Sequence, residues 1–316
     1  MPVRTWYTGY TGYAGYNQHN RRDRRDQHKG HSWRTCLTLA LVWSLLNCAA
    51  PTQAQAQTVA ADTTPQIGQV SKDSVWVPTP ERMIRRMLQV ADTSADDVVM
   101  DLGSGDGRVP IHAAKHFGAR AIGVELEANL IRVSEDAAKA QGVAHLTRFV
   151  RGDMFETDLS VATVFALYIS PGAMLGLKPK LLALKPGTRI VSHHFTLGQW
   201  EPDESFRIEG RSGYLWLVPA DVRGRWRIFW QGDVLPDDTL SLRFEQTLQM
   251  LRGTGERGGA AINVVGARLR GTEISFTGFD RDGQSRQFHG RVDGARMSGE
   301  SSVNGRASLR WSAARE

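Results

Sequence analysis

Residues 98–108 read V-V-M-D-L-G-S-G-D-G-R, an apolar run that ends on Asp101 and breaks into Gly103, Gly105 and Gly107. Val98, Val99 and Met100 suit a short buried strand. Alternating glycines suit a loop whose backbone turns sharply and approaches a ligand more closely than a Cβ allows. The pattern from Val109 to Phe117 then predicts a helix. Strand, glycine loop and helix in this order put the loop at the carboxyl end of a parallel strand, where open α/β sheets bind ligands.

Charge narrows the ligand. Dinucleotide loops space their glycines G-x-G-x-x-G and turn a helix N-terminus toward a pyrophosphate. Here the spacing is G-x-G-x-G, with Asp101 before the loop and Asp106 inside it. Two carboxylates repel a diphosphate and attract a cation. S-adenosylmethionine (SAM), with its ammonium and sulfonium, fits that charge. Asp101, Gly103, Ser104, Gly105 and Gly107 are therefore expected to bind it.

Two more acids follow at matching intervals. Ala121 to Val124 reads as a second strand ending on Glu125, whose carboxylate can accept both ribose hydroxyls, as an acid does at the same place in dinucleotide folds. Thr147 to Val150 reads as a third, leading to Gly152-Asp153-Met154. Asp153 would accept from the adenine amino group, and Met154 or Phe155 would pack on its ring. One Asp at a turn is ordinarily a solvated residue; three acids closing three successive strands form a pattern.

These residues carry a resemblance. The chain resembles class I SAM-dependent methyltransferases, and among them the protein-lysine methyltransferases that include the ATP synthase c-subunit enzymes and their bacterial relatives. The narrower likeness rests on Val77-Pro78-Thr79-Pro80, Asp101 to Arg108, Leu167-Tyr168-Ile169-Ser170-Pro171, Lys185 to His193 and Trp200-Glu201-Pro202-Asp203. It covers roughly residues 72–222. It implies a Rossmann-like, seven-stranded methyltransferase sheet, SAM as cofactor, and a lysine amine of a protein as acceptor, with Thr79 joining the cofactor-binding residues. Where Ile169-Ser170 stand, relatives often keep two apolar residues.

The remaining patterns agree with that fold. Thr79 is expected to cap a helix with Pro80 in its first turn, and Met83, Ile84, Met87, Leu88 and Ala91 form its apolar face. Leu126, Leu130, Val133, Ala137 and Ala138 repeat the helical pattern until Gly142. Val161 to Leu167 reads as a strand buried on both faces, Arg189 to Ser192 as the next, and Ser205 to Glu209 with Tyr214 to Val218 as an antiparallel edge pair. Alternation of strands and helices implies a parallel sheet covered on both faces.

The acceptor side is expected at the ends of the fourth and fifth strands. SAM supplies the leaving group, so the protein must align the acceptor and keep it unprotonated. Tyr168 would face the methyl group, Ser170 and the Pro171 turn would shape the acceptor slot, and His193 or His194 could take a proton. Each has a plainer reading as a core or turn residue. No metal site is expected: His193 and His194 point to opposite faces of a strand, and Cys36 and Cys48 lie in the leader without a zinc pattern.

Residues 1–56 read as a leader: polar and basic to residue 35, apolar from Cys36 to Ala50, then Ala54-Gln55-Ala56, a small-residue cleavage pattern. Residues 34–56 would either export the chain to the periplasm or anchor it in a membrane, and residues 57–71 read as a flexible linker. The leader holds seven Lys or Arg against two Asp, whereas the remainder holds 32 basic and 31 acidic residues. The basic character thus belongs to the leader and argues for no nucleic-acid partner.

Residues 72–222 form the expected catalytic domain. Residues 223–316 change to short β patterns separated by Gly turns, among them Arg225 to Gln231, Leu240 to Gln246, Ala261 to Leu269, Glu273 to Gly278 and Gln287 to Val292. Turn signals lie at Arg281-Asp282-Gly283, Val292-Asp293-Gly294 and Asn304-Gly305. A small antiparallel barrel or sandwich follows, with Trp226, Trp230 and Trp311 as core rather than as a stacking platform. The function expected is SAM-dependent methyl transfer to a protein lysine, with a membrane protein among the candidate substrates. A small-molecule or lipid acceptor, or a non-catalytic envelope protein with a relic SAM fold, are the alternatives.

Overall fold

The first helix, α1 (Glu81–Val90), begins one residue later than its sequence signal. Pro80 holds φ −60° but an extended ψ of 143°, so it is the cap itself and no side chain bonds the first turn. The expected Thr79 cap is corrected: Thr79 lies outside the helix and is buried. Met83, Ile84, Met87 and Leu88 are all buried, each worth about 1.5–3 kcal/mol of transfer free energy. The structure, a computed structural model, describes residues 77–230, 240–279, 284–303 and 306–316. The leader, the 57–71 linker, residues 72–76 and the turns at Arg281-Asp282-Gly283 and Asn304-Gly305 lie outside them. Among the described residues no helix is long and apolar enough to cross a membrane.

The sheet alternates with helices as the patterns require: β1 (Val98–Leu102), α2 (Arg108–Phe117), β2 (Arg120–Glu125), α3 (Ala128–Ala140), β3 (Thr147–Arg151), β4 (Val164–Leu167), α4 (Pro171–Leu182) and β5 (Arg189–His193), then β6 (Glu204–Ile208) and β7 (Arg211–Leu217). Its order is β3-β2-β1-β4-β5-β7-β6. The first five strands run parallel, and β7 joins β5 antiparallel. Alternation divides the strand residues between two cores. Val99, Ala121, Val164, Ala166 and Val191 pack with α1 and α2. Met100, Val124, Phe165, Leu167 and Ile190 pack with α4, Trp200 and Trp216.

Two readings of this region are corrected. The apolar run at Val161 does not start the strand: Val161 is exposed and β4 begins at Val164. Leu126 is not on the α3 face; it precedes the helix and is exposed.

Eight strands then close a barrel: β8 (Gly224–Trp230), β9 (Leu240–Thr247), β10 (Met250–Arg257), β11 (Ala260–Arg270), β12 (Glu273–Phe279), β13 (Ser285–Asp293), β14 (Arg296–Val303) and β15 (Arg306–Arg315). Neighbours in sequence pair antiparallel, and β15 closes on β8 through Trp311↔Trp230 to Arg315↔Trp226. The segments named from sequence do not include β10, β14 and β15, where glycines in the first two and small residues in the last have weak strand preference. Closure supplies the partners that propensity does not. Trp226, Trp311, Phe276 and Phe288 fill the interior, and Gly290 is required there because a Cβ would stand 2.6 Å from the Trp311 ring. Trp230 is half-buried under the Arg286 guanidinium.

Sheet and barrel belong to one compact unit. The β9–β10 turn is the joint: Leu248 packs against the sheet's core, and Gln249 Nε2 donates to Glu201 O at 2.6 Å. The barrel thereby supports the segment between β5 and β6, which carries Phe195 and Trp200.

Candidate active site

At the carboxyl ends of β1, β2 and β4 a cavity of about 1130 Å³, including its open mouth, is walled by residues from six separate segments. Its floor is the glycine loop. Gly103 and Ser104 donate their N–H groups to Val124 O at 2.8 and 3.0 Å, which ties the loop to β2. Gly105 N donates to Glu125 Oε2 at 2.9 Å, while Glu125 Oε1 accepts from Leu126 N and Glu127 N at 2.8 and 3.1 Å. Glu125 therefore holds the loop and lines the cavity at once.

Asp101, Gly103, Ser104, Gly105 and Glu125 all line this cavity, as do Thr79, Asp153, Met154, Tyr168 and Ser170. Gly107, Pro171 and His193 are not among its walls. Gly107 serves packing instead. At φ +75° it caps α2, and a Cβ there would lie 2.7 Å from both Phe149 and Ser134. The Ser104 hydroxyl is buried without a hydrogen-bond partner, so the residue meets the cavity through its backbone. Ser170 caps α4, its Oγ accepting from Ala173 N at 3.3 Å, with Pro171 in the first turn. Asp153 Oδ1 accepts from Phe155 N at 2.8 Å, fixing the turn after β3. Leu126 is a wall that the sequence reading assigned to a helix face.

The cavity is acidic. Asp106 is answered by Arg108 at 2.6 Å. Among the described residues no Lys or Arg pairs with Asp101 or Glu125. Burial, with Glu125 and Asp106 nearby, pushes the Asp101 carboxyl well above the usual carboxylate range. A buried carboxylate without a counterion suits a ligand that brings positive charge.

The family model described as the ANTKMT methyltransferase domain matches residues 101–204. A protein-lysine N-methyltransferase of Saccharolobus islandicus is 46% identical over 149 residues, which make up 45% of this chain and 92% of that protein. The chain belongs to the SAM-dependent protein-lysine N-methyltransferase family. An ATP synthase c-subunit lysine N-methyltransferase of Xenopus laevis is 33% identical over 42% of this chain and 58% of its own length. The solved structure of an RNA methyltransferase from Salinibacter ruber with S-adenosyl-L-homocysteine is 46% identical, covering 46% of this chain and 96% of that one, with a TM-score of 0.45.

In this methyltransferase the wall that follows β4 carries one aromatic ring, Tyr168, backed by others outside the cavity lining. Tyr168 follows β4 and packs on His193 with ring centroids 4.1 Å apart and on Phe195 at 6.0 Å. His193 ends β5, is buried, and has no partner for Nδ1. Burial and the neighbouring His194 and Arg211 hold its pKa down to about 4. His194 is exposed, with φ 73°.

The depressed value has a consequence for stability. An unfolded imidazole titrates near pH 6.5, so between about 6.5 and 4 the unfolded chain binds more protons at His193 than the folded one. The contribution is whole above that window and is lost as pH falls through it. The melting temperature is expected to drop from pH 7 to pH 5, and to drop less in His193→Gln. Equal drops in the two proteins would remove His193 as a cause.

Proposed function

We propose that the chain transfers the methyl group of SAM to the side-chain amine of a lysine in a protein substrate. The observation that carries this reading is the acidic, glycine-floored cavity that continues from Asp101 and Glu125 to Tyr168 and Ser170. In that reading Glu125 accepts from a ribose hydroxyl through Oε2, Asp153 from the adenine amino group, and Met154 packs on the adenine. Asp101 faces the cationic end, and Thr79 closes the wall. The cofactor supplies an activated methyl on sulfonium. The protein supplies position: Tyr168 and Ser170 bound the acceptor's approach, and Pro171 sets the turn that presents Ser170.

The acceptor must arrive as a neutral amine. His193 is a poor base for that task. A lysine ammonium near pKa 10.4 exceeds an imidazole near 4 by about six decades. We therefore assign His193 to orienting the Tyr168 ring, and the proton to solvent before the amine enters. The apolar wall of Tyr168 and Ile169 favours the uncharged amine by desolvation. The apolar segment from Cys36 to Ala50 supports a membrane-held enzyme acting on a membrane protein.

Incubation of the full chain with methyl-labelled SAM tests the reading. Lysine-containing protein or peptide should acquire label that an arginine-substituted peptide does not. Label on small amines, lipid or RNA, with none on lysine, would overturn it.

A further inference from the structure

Away from the cavity, α1 and α2 bring together three side chains that no step above uses. His112 and His116 stand four residues apart on α2, hence on one helix face, with ring centroids 4.2 Å apart. Glu81, in the first turn of α1, reaches them from the other side, its Oε1 lying 3.7 Å from His112 Nδ1. One ligand atom from each of the three lies within 4.8 Å of the others. They face a cleft shared with Thr79, Ile84 and Gln141.

We propose that Glu81, His112 and His116 form a binding site for a divalent transition-metal ion, zinc by preference. Two imidazoles and one carboxylate are a common ligand set for this ion, which leaves a fourth position for water or an anion. Ligand atoms around tetrahedral zinc stand about 3.3 Å apart, given bonds of about 2.0–2.1 Å. The gap from 4.8 Å is closed by rotation of Glu81 and His116, both exposed, onto His112, which is buried and fixed. His112 Nδ1 is the nitrogen that stands toward Glu81, and the buried Nε2 has no hydrogen-bond partner among the described residues, so ligation through Nδ1 breaks no side-chain bond made by the ring's other nitrogen.

Lys115 and Arg108 also line the cleft. Their charge opposes a cation, and sets the expected affinity at micromolar rather than tighter. The site is structural by position. Glu81 follows Val77 and Thr79, which wall the SAM cavity, and α2 follows the glycine loop. A metal bridging α1 and α2 would join those two walls from behind.

The test is cobalt(II) titration of the chelator-treated full chain, followed by visible absorbance and by zinc competition. Wild type is compared with His116→Ala and Glu81→Gln. Both positions are exposed, and circular dichroism verifies folding. The leader's own histidines and cysteines remain in all three proteins, so the difference between them isolates the site. One equivalent should bind at micromolar concentration in the wild type and at least tenfold more weakly in each variant, with a zinc-dependent rise in melting temperature that the variants lose. No saturable binding, or binding equal in all three proteins, overturns the proposal.

Discussion

Glu125→Ala is expected to weaken SAM binding by about a hundredfold, and to weaken S-adenosylhomocysteine by a similar factor. The carboxylate has two tasks. One is internal: it accepts from Gly105, Leu126 and Glu127 and so fixes the glycine loop against the end of β2. The other faces the cavity, where the lone-pair site left on Oε2 is available to the ribose. A charge-assisted hydrogen bond is worth about 1.5–3 kcal/mol, and each 1.4 kcal/mol is tenfold in affinity. Loss of the ribose contact alone accounts for one to two decades, and loosening of the loop takes the total to the upper end. Glu125→Gln keeps the shape but replaces an acceptor with a donor, so an intermediate loss of about tenfold is expected. Calorimetric titration of both ligands into wild type and variants decides the matter. Binding by the Ala variant within twofold of wild type would remove Glu125 from the site.

The catalytic sheet was legible because its signals are local and redundant. The first three strands each lead into an acid at the carboxyl end, β4 is a short apolar run, and α1 and α3 each carry one apolar face. Misreadings occurred where one local rule met a competing one. Thr79 has the chemistry of a cap, but Pro80 takes the position with its extended ψ. Val161 extends the apolar run of β4, but it precedes the hydrogen-bonded strand and faces solvent. The barrel was legible only by class. Met250 to Arg257 carries Gly253 and Gly255, and Arg296 to Val303 is largely small and polar. Such segments become strands because both neighbours pair with them, a fact stored in closure and not in any one segment.

That Asp101, the glycine loop, Glu125 and Asp153 come together was legible for the same reason as the sheet, since glycine spacing and acids at strand ends are sequence-local. What could not be read was which atoms of those residues face the cavity. Ser104 and Gly107 stand in the motif, yet the Ser104 hydroxyl is buried beside Gly123 and Gly107 opens space for Phe149 and Ser134. His193 was readable as a base from its chemistry, whereas its burial, which depresses its basicity, depends on the packing of β5 against β7. The His112–His116 spacing was present in the sequence. Only Glu81, 31 residues before His112, completes the three-residue cluster on which the proposed metal site rests.

In the proposed reading Tyr168 bounds the acceptor's approach, and Tyr168→Phe is expected to lower the turnover number by ten- to a hundredfold while leaving the SAM dissociation constant within about twofold. The ring is held from behind by His193 and Phe195, and Phe keeps that packing, so the change reports on the hydroxyl alone. Among the described residues that hydroxyl has no protein partner, although the residue lines the cavity. A polar atom placed there and unused by the fold is available to the incoming amine, whose lone pair must align with the methyl carbon. One such hydrogen bond, strengthened as the amine nitrogen takes on positive charge in the transition state, is worth about 1.5–3 kcal/mol, which is ten- to a hundredfold in rate. Single-turnover kinetics beside SAM titration separates the two effects. An unchanged rate would reduce Tyr168 to a wall, and a parallel loss of SAM affinity would place its hydroxyl on the cofactor instead. If the aromatic packing also matters for orientation, Tyr168→Ala should fall below Tyr168→Phe, and His193→Gln should lower turnover by less than either, because it removes only the ring's support.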